Sequence, residues 1–190
     1  HKLQNQPKLV MQGWQTLPIN EQWPLKVALV ERGPAVISAN ADPWFEYKSG
    51  IIDHTGPKGG CKEDTVVTHA AALVGYGRDE ALGASYWLIK NSWGKLWGEK
   101  GFVRLLMHGD ENNMPYCGMD NNPSLGVGCE GWPKQIPVCG MCGVLSDATQ
   151  PVGVELFDEA KHRKKMKEFT SHLDTDAMGR AAASATPPPH

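Results

Sequence analysis

Three strand patterns follow one another within residues 66–109, and this run constrains the fold more than any other feature of the sequence. The segments are VVTHAAALVGYG (66–77), SYWLIKNSW (85–93) and GFVRLLMHG (101–109). Each is rich in β-branched, aromatic and other apolar residues, which is typical of strands. The loops that join them are short and contain glycine and charged residues. Such connections predict antiparallel pairing of the three strands.

A helix is predicted ahead of these strands. Asn20 has the side chain of an N-cap residue, and an apolar stripe at helical spacing follows it, formed by Trp23, Val27 and Val30. The Gly-Pro pair at 33–34 would end the helix, because glycine tolerates a left-handed cap and proline cannot continue a helix. The combined patterns predict an α+β fold in which one or two helices pack on a strongly twisted antiparallel sheet.

The character of the sequence changes after residue 125, and we predict three parts. Residues 1–125 form a sheet-rich domain, and residues 126–150 form an irregular extension that contains three of the five cysteines. Residues 151–190 contain a charged helix within 153–170 and then a disordered tail, GRAAASATPPPH.

Charge and hydropathy exclude two classes of partner. The net charge of −2 at pH 7 gives no basic surface for nucleic acid or an anionic membrane. The apolar run at 70–77 is far too short to span a bilayer. We therefore predict no nucleic-acid partner and no membrane segment, and we expect neither a cofactor nor a resident metal.

The start of the sequence bears on its completeness. The first residues are HKLQNQPK, without an initiator methionine or the apolar segment of a secretory signal. We therefore expect the chain to be a fragment or a processed product.

One His/Asn pair falls on the strand pattern in a way that suggests chemistry. His69 stands at the head of the first strand, and Asn91 follows 22 positions later, at the end of the second. Two strands joined by a tight loop can bring such positions within hydrogen-bond distance. An asparagine oxygen that accepts a hydrogen bond from one imidazole nitrogen fixes the ring, so that the other nitrogen can act on a nucleophile.

Four motifs around this pair occur in a recognisable order: THAAALVGYG, YWLIKNSWG, WGEKGF and CGMD. Together they closely resemble the C-terminal half of the papain-like cysteine peptidases, the cathepsin group, over roughly residues 20–122. The resemblance implies the right-hand domain of that fold, a twisted sheet or partial barrel.

The resemblance also implies roles for four residues. His69 would be the catalytic histidine and Asn91 the residue that orients it. Trp93 would shield their hydrogen bond from water beside the substrate. Ala70 would line the pocket that selects the second residue on the acyl side of the cut.

The nucleophile of this family is not found at its expected place. Its cysteine precedes the histidine by roughly 130 residues, and no cysteine lies before Cys61. We therefore expect a missing N-terminal half to supply the nucleophile and the oxyanion hole, and this chain alone to be inactive. Cys142, in VCGMCG (138–143), superficially resembles the family's C-G-S-C-W segment, but it follows His69 instead of preceding it. We predict that it is not the nucleophile.

The five cysteines leave several possibilities open. In the family that the chain resembles, Cys61 would pair with Cys117. For the remainder we favour a bond from Cys129 to Cys139 or Cys142, with one thiol left free or bonded to the missing half. A zinc site or a thiol-redox pair within 117–142 are the alternatives.

The sequence thus predicts an endopeptidase that hydrolyses peptide bonds of peptide or protein substrates by a Cys-His-Asn mechanism. The alternative is a non-catalytic homologue whose groove binds a peptide or a protein partner. A lysosome-like or vacuolar compartment, or secretion, fits the resemblance.

Overall fold

The computed structural model describes residues 9–55, 60–109, 115–129, 131–161 and 163–167. Helix α1 spans Gln22–Arg32, and residues 159–161 and 163–167 are also helical. The strands are β1 Leu9–Val10, β2 Gly13–Thr16, β3 Ala35–Ala39, β4 Ile51–Ile52, β5 His69–Asp79, β6 Ala84–Lys90, β7 Phe102–Leu106, β8 Cys117–Asp120, β9 Ile136–Cys139, β10 Ala148–Val152 and β11 Glu155–Leu156.

The chain divides into two compact units. Residues Gly13–Val152 form the larger one. The smaller one contains residues 9–12 and 153–167, in which β1 and β11 pair antiparallel. The charged helix predicted within 153–170 falls in this smaller unit, whereas the predicted disordered tail lies outside the described residues. Among the described residues, no helix has the length and apolar character that crossing a bilayer requires.

A seven-stranded sheet in the order β2-β10-β3-β5-β6-β7-β4 organises the larger unit. Every neighbouring pair is antiparallel except β4 and β7, which run parallel. The predicted α+β class and the antiparallel pairing of the three strand patterns are confirmed. The sheet of the described residues is open, not a closed barrel.

The core lies on one face of this sheet. Along β6 the buried positions alternate, with Trp87 and Ile89 inside and Tyr86 and Leu88 partly exposed. This period of two is what a strand with one buried face requires. The sequence does not show this alternation, because residues 86–89 are all apolar, but the strand ends in the structure lie close to the predicted ones.

Helix α1 buries a different face from the predicted one. Leu25, Ala28 and Leu29 are buried, whereas Trp23 and Val30 are 60% and 72% exposed. Asn20 does not cap the helix, which begins at Gln22 after Glu21. The Asn20 amide instead bonds the backbone of β9: Nδ2 donates to the Pro137 carbonyl, and Oδ1 accepts from the Cys139 N–H. This long-range tie explains why the local capping signal was misleading.

The segment that we predicted as an irregular extension, 126–150, belongs to the larger unit. Strand β10 lies between β2 and β3 in the sheet. Ahead of it, Met141, Val144 and Leu145 are buried in the core. Gln150 also points inward, and its amide donates to the carbonyls of Ala28 and Gly33 at the end of α1.

The disulfides differ from both predicted pairings. The bonds are Cys61–Cys142 and Cys117–Cys139, and Cys129 is an exposed free thiol. The predicted Cys61–Cys117 bond is therefore wrong, as is the predicted bond of Cys129. The reason is the register of the β8–β9 hairpin, which sets Cys117 directly opposite Cys139 with their Cα atoms 4.0 Å apart. Cys142 then faces Cys61 across 4.8 Å between Cα atoms.

Candidate active site

The structure brings His69 and Asn91 together. His69 is the first residue of β5, and Asn91 directly follows the last residue of the neighbouring β6. The distance from His69 Nε2 to Asn91 Oδ1 is 3.0 Å. Because a carbonyl oxygen can only accept, Nε2 carries the proton in this contact and Nδ1 remains available to exchange one.

Asn91 is fixed by its backbone as well as by its side chain. Its N–H donates to the Gly101 carbonyl at 2.9 Å, and Oδ1 also accepts from the N–H of Ser92 at 2.8 Å. The residue is 4% exposed. Asn91 Oδ1 is buried and accepts two hydrogen bonds, so it gives the imidazole ring an acceptor with a fixed position.

Aromatic rings surround the pair. The ring centroid of Trp93 lies 5.5 Å from that of His69, and Trp44 meets His69 edge-on at 5.9 Å. Phe45 stacks on Trp93 at 5.0 Å, and Trp97 meets Trp93 edge-on at the same distance. Trp93 therefore lies where it can keep water from the histidine. Sequence analysis missed Trp44 and Phe45, because the pattern around them indicated only a turn or short helix.

Ala70 is exposed on β5, next to the histidine. Its partner across the sheet is Ser38 of β3. The Ser38 hydroxyl donates to a carboxylate oxygen of Asp147 at 2.9 Å. Ala70 is thus an exposed small side chain next to His69 in sequence, paired across the sheet with a buried serine.

An ion-pair network anchors the loop after Asn91. The Arg104 guanidinium contacts the carboxylates of Glu99 at 2.7 Å and Asp79 at 2.8 Å. Hydrogen bonds from Arg104 hold the pKa of each carboxyl below its ordinary value. The Tyr47 hydroxyl lies in the same network, and burial raises its pKa to about 12. Glu99 also accepts the N–H of Gly50, so the loop is tied to two strands.

Four of the five cysteines are in disulfides, and Cys129 is a free thiol. Cys142 is fully buried in its disulfide, so it is not available as a nucleophile. The zinc alternative is wrong as well, because three of its four proposed ligands are in disulfides and a bonded sulfur provides no thiolate. No group of three His, Cys, Asp or Glu side chains in the described part of the chain is arranged to hold a metal.

Comparison with known proteins agrees with this geometry. The family model described as papain family cysteine protease matches residues 1–127. The chain belongs to this family. The papain-family match includes both His69 and Asn91, and the predicted resemblance is confirmed.

Individual relatives are similar over part of their length. The chain is 40% identical to cathepsin R of Mus musculus over 116 residues, which are 59% of this chain and 32% of that protein. It is 38% identical to chymopapain of Carica papaya over 114 residues, 60% of this chain and 30% of that protein. The chain thus spans about a third of the length of these papain-family relatives.

Solved structures extend the likeness in fold. The bromelain protease from Ananas comosus in complex with the E64 inhibitor matches with a TM-score of 0.51 and 27% identity, over 75% of this chain and 50% of that one. The digestive procathepsin L2 proteinase of Tenebrio molitor matches with a TM-score of 0.54 and 26% identity, over 80% and 37%. These solved structures therefore share the papain-like fold with the larger part of this chain.

Proposed function

We propose that the complete protein is a cysteine endopeptidase and that this chain supplies its histidine and asparagine. The observation that carries the proposal is the 3.0 Å contact between His69 Nε2 and Asn91 Oδ1 beside Trp93. Membership of the papain family supports the same reaction class. The nucleophilic cysteine and the oxyanion donors would come from a part of the protein outside residues 1–190.

In the proposed mechanism, Nδ1 of His69 takes the proton of the cysteine thiol, which leaves a thiolate and an imidazolium as an ion pair. The thiolate attacks the peptide carbonyl carbon, and a tetrahedral oxyanion forms. His69 then gives its proton to the amine, the C–N bond breaks and a thioester remains. Finally His69 takes a proton from water, which attacks the thioester; the C–S bond breaks, the acid leaves, and the thiolate and the imidazolium of His69 are restored as an ion pair.

Asn91 would act throughout by orienting the ring. Its oxygen accepts from Nε2 whether the imidazole is neutral or charged, so Nδ1 keeps pointing in one direction while it takes and gives protons. Trp93 would protect that hydrogen bond from water and contribute to substrate binding. Ala70 would border the pocket for the second residue on the acyl side, where its short side chain leaves space.

Several consequences belong to the same proposal. Substrates would be peptides or proteins, and residues 1–190 alone would be inactive because they would lack the nucleophile. A lysosome-like or vacuolar compartment, or secretion, suits an enzyme with two disulfides. The competing function is a non-catalytic homologue with another residue at the nucleophile position, which would bind peptide without cleaving it.

The test is a peptide-hydrolysis assay of the complete protein with a thiol-directed, acyl-type inhibitor. We expect His69→Ala to lower kcat by roughly 10³–10⁴-fold, because the general base is lost. Asn91→Ala should cost about 10²-fold, because only the orientation is lost. His54→Ala, at an exposed histidine in the same unit, is the matched control and should change kcat less than about twofold.

Three results would overturn the proposal. They are the absence of hydrolysis by the wild-type complete protein, a residue other than cysteine at the nucleophile position, and equal losses for His69→Ala and His54→Ala. Peptide binding without turnover would favour the non-catalytic homologue.

A further inference from the structure

The backbone just before His69 is held by a distant part of the chain. Residues 65–68 lead into β5 but precede the strand's first residue. At their centre, the Val67 N–H donates to Asp120 Oδ2 at 3.1 Å. The Val67 carbonyl accepts the N–H of Val127 at 3.0 Å. Both backbone groups of Val67 are therefore bonded to the segment 117–128, which lies more than 50 positions away in sequence.

Asp120 is a carboxylate in an unusual setting. It is 1% exposed, and its second oxygen, Oδ1, accepts the N–H of Asn122 at 2.9 Å. In the described residues its hydrogen-bond partners are these backbone N–H groups, and no cation is paired with it. A buried carboxylate is costly unless its oxygens are bonded, and charge-assisted bonds to N–H groups are about twice as strong as neutral ones. Asp120 is thus a strong, directional clamp on Val67.

The segment 117–128 also approaches residues 63–67 more closely than side chains allow. A Cβ atom at Gly126 would lie 1.9 Å from the Val67 carbonyl oxygen, and one at Gly118 would lie 2.0 Å from the Glu63 carbonyl oxygen. The Thr65 N–H donates to the carbonyl of Met119 at 3.1 Å. The two stretches therefore lie backbone against backbone, and the Cys117–Cys139 disulfide joins the start of the loop to β9.

We infer that Asp120 is a positioning residue for His69. Val67 lies two residues before His69, so the Asp120 clamp fixes the point from which β5 begins. Asn91, just after β6, is fixed separately by the Gly101 carbonyl. The 3.0 Å contact between the two side chains then depends on both anchors being stationary. This inference rests on the proposed peptidase function, because the contact matters to turnover only if His69 transfers protons.

The first variant is Asp120→Asn in the complete protein. An amide has one accepting oxygen, so one of the two N–H groups of Val67 and Asn122 would face the NH₂ group and lose its bond. A displacement of about 1 Å in a catalytic group can cost about 10²-fold in rate. We expect kcat to fall by roughly 10–100-fold while KM changes less than about threefold, since Asp120 is 1% exposed and presents almost no surface to a substrate.

Asp64→Asn is the matched control. The Asp64 carboxylate accepts from the Met119 N–H and from Asn121 Nδ2, so it joins the same two stretches without contacting Val67. It should leave kcat within about twofold of the wild type. Equal losses for the two variants would mean that any loosening of the loop has the same effect, and the positioning role would be rejected.

A spectroscopic measurement separates positioning from general stability. In [¹⁵N]histidine-labelled complete protein, the Nε2 resonance of His69, assigned with His69→Ala, reports its hydrogen bond to Asn91. It should move in Asp120→Asn and not in Asp64→Asn. An unchanged resonance with an unchanged kcat overturns the inference, even if the melting temperature falls.

A second variant is used if Asp120→Asn does not fold. If Asp120→Asn is not folded, Val127→Pro removes the other bond to Val67, at a partly exposed loop residue that follows a glycine. A lowered kcat and a moved His69 resonance would support the inference, and no change in either would overturn it. If wild type itself cleaves no peptide, the proposed function fails, and the resonance shift still decides whether Asp120 positions His69.

Discussion

The three-strand block β5–β7 and the segment 117–152 lie in the same compact unit but obtain their structure in different ways. In the block, each strand pairs with the next one along the chain, and the His69–Asn91 contact spans only 22 positions. The segment 117–152 is placed by contacts that span most of the unit. Gln150 bonds the carbonyl of Ala28, 122 positions away, and the Cys61–Cys142 disulfide spans 81.

This difference shows which parts of the fold can be predicted from the local sequence pattern. The strands of the block are visible in the sequence, because each is an apolar run and each pairs with the next run along the chain. The position of β10 between β2 and β3 is not visible in ATQPV, because its two partners lie more than 100 residues earlier. The structure of the block β5–β7 is determined by contacts among its own residues. The structure of the segment 117–152 is determined by contacts with residues far away in the sequence.

Removal of the disulfides should give the largest losses in the free energy of unfolding. It should also distinguish the long-range disulfide from the short-range one. Replacing Cys61 and Cys142 by alanine frees a closure of 81 residues, whereas replacing Cys117 and Cys139 frees one of 22. Loop-closure entropy predicts losses of about 4.5 and about 3.4 kcal/mol in the free energy of unfolding. Urea unfolding of the two double variants measures the difference. A larger loss for the β8–β9 bond would contradict a long-range role for Cys142.

Two glycine-to-alanine variants, one in the segment 117–152 and one in β5, should have smaller effects on stability than loss of a disulfide. Gly126→Ala should cost about 3 kcal/mol in the free energy of unfolding, because the new methyl would overlap the Val67 carbonyl. Gly75→Ala, in β5, has open space around its Cβ position and should change that free energy by less than about 1 kcal/mol. Urea unfolding of both variants provides the test. Similar losses would show that the backbone approach of the loop is not tight.

The smallest expected effect concerns acid. Arg104 holds the pKa of Glu99 below its ordinary value of 4.5 and also lowers that of Asp79. A carboxyl with a lowered pKa in the folded state stabilises it fully above the unfolded pKa, and this contribution is lost as the pH falls through the folded pKa. Stability should therefore decline below about pH 4.5, and Arg104→Met should reduce that decline and cost about 1–2 kcal/mol at pH 7.

Hydrogen exchange would locate the acid effect. Between pH 5 and the acid transition, faster exchange in β5–β7 than in β10 is expected, because Arg104 and its two carboxylate partners, Asp79 and Glu99, lie within or beside the block. An Arg104→Met chain whose stability declines with acid as steeply as wild type would remove the network as the cause.

The predictions from sequence were correct where structure depends on local contacts and wrong where it depends on residues far away in the chain. The strand block, the α+β class and the proximity of His69 to Asn91 follow from periodicity and short loops. The disulfides, the buried face of α1 and the place of 126–150 did not, because each depends on a partner far away. Asn20 is an example: its capping pattern is local, but its side chain is used by β9.

The candidate site divides in the same way. His69, Asn91 and Trp93 lie in motifs that identify them, and their roles stay predictions until activity is measured. Asp120 lies in the CGMD motif, but the motif gives it no role, because its contact with Val67 cannot be predicted from spacing. Trp44 and Phe45 were missed for the same reason: a turn sequence does not reveal what its rings contact.

The position of β10 has a consequence for synthesis on the ribosome. Strands β2 and β3 leave the exit tunnel early, but they do not pair with each other, because β10 lies between them. The block β5–β7 can form as soon as its residues emerge, since its contacts are local. We expect β2 to stay without a sheet partner until residues 148–152 have been translated. A nascent chain that has emerged from the tunnel as far as residue 130 should therefore protect His69 and Asn91 from proteolysis while leaving residues 13–16 open to cleavage.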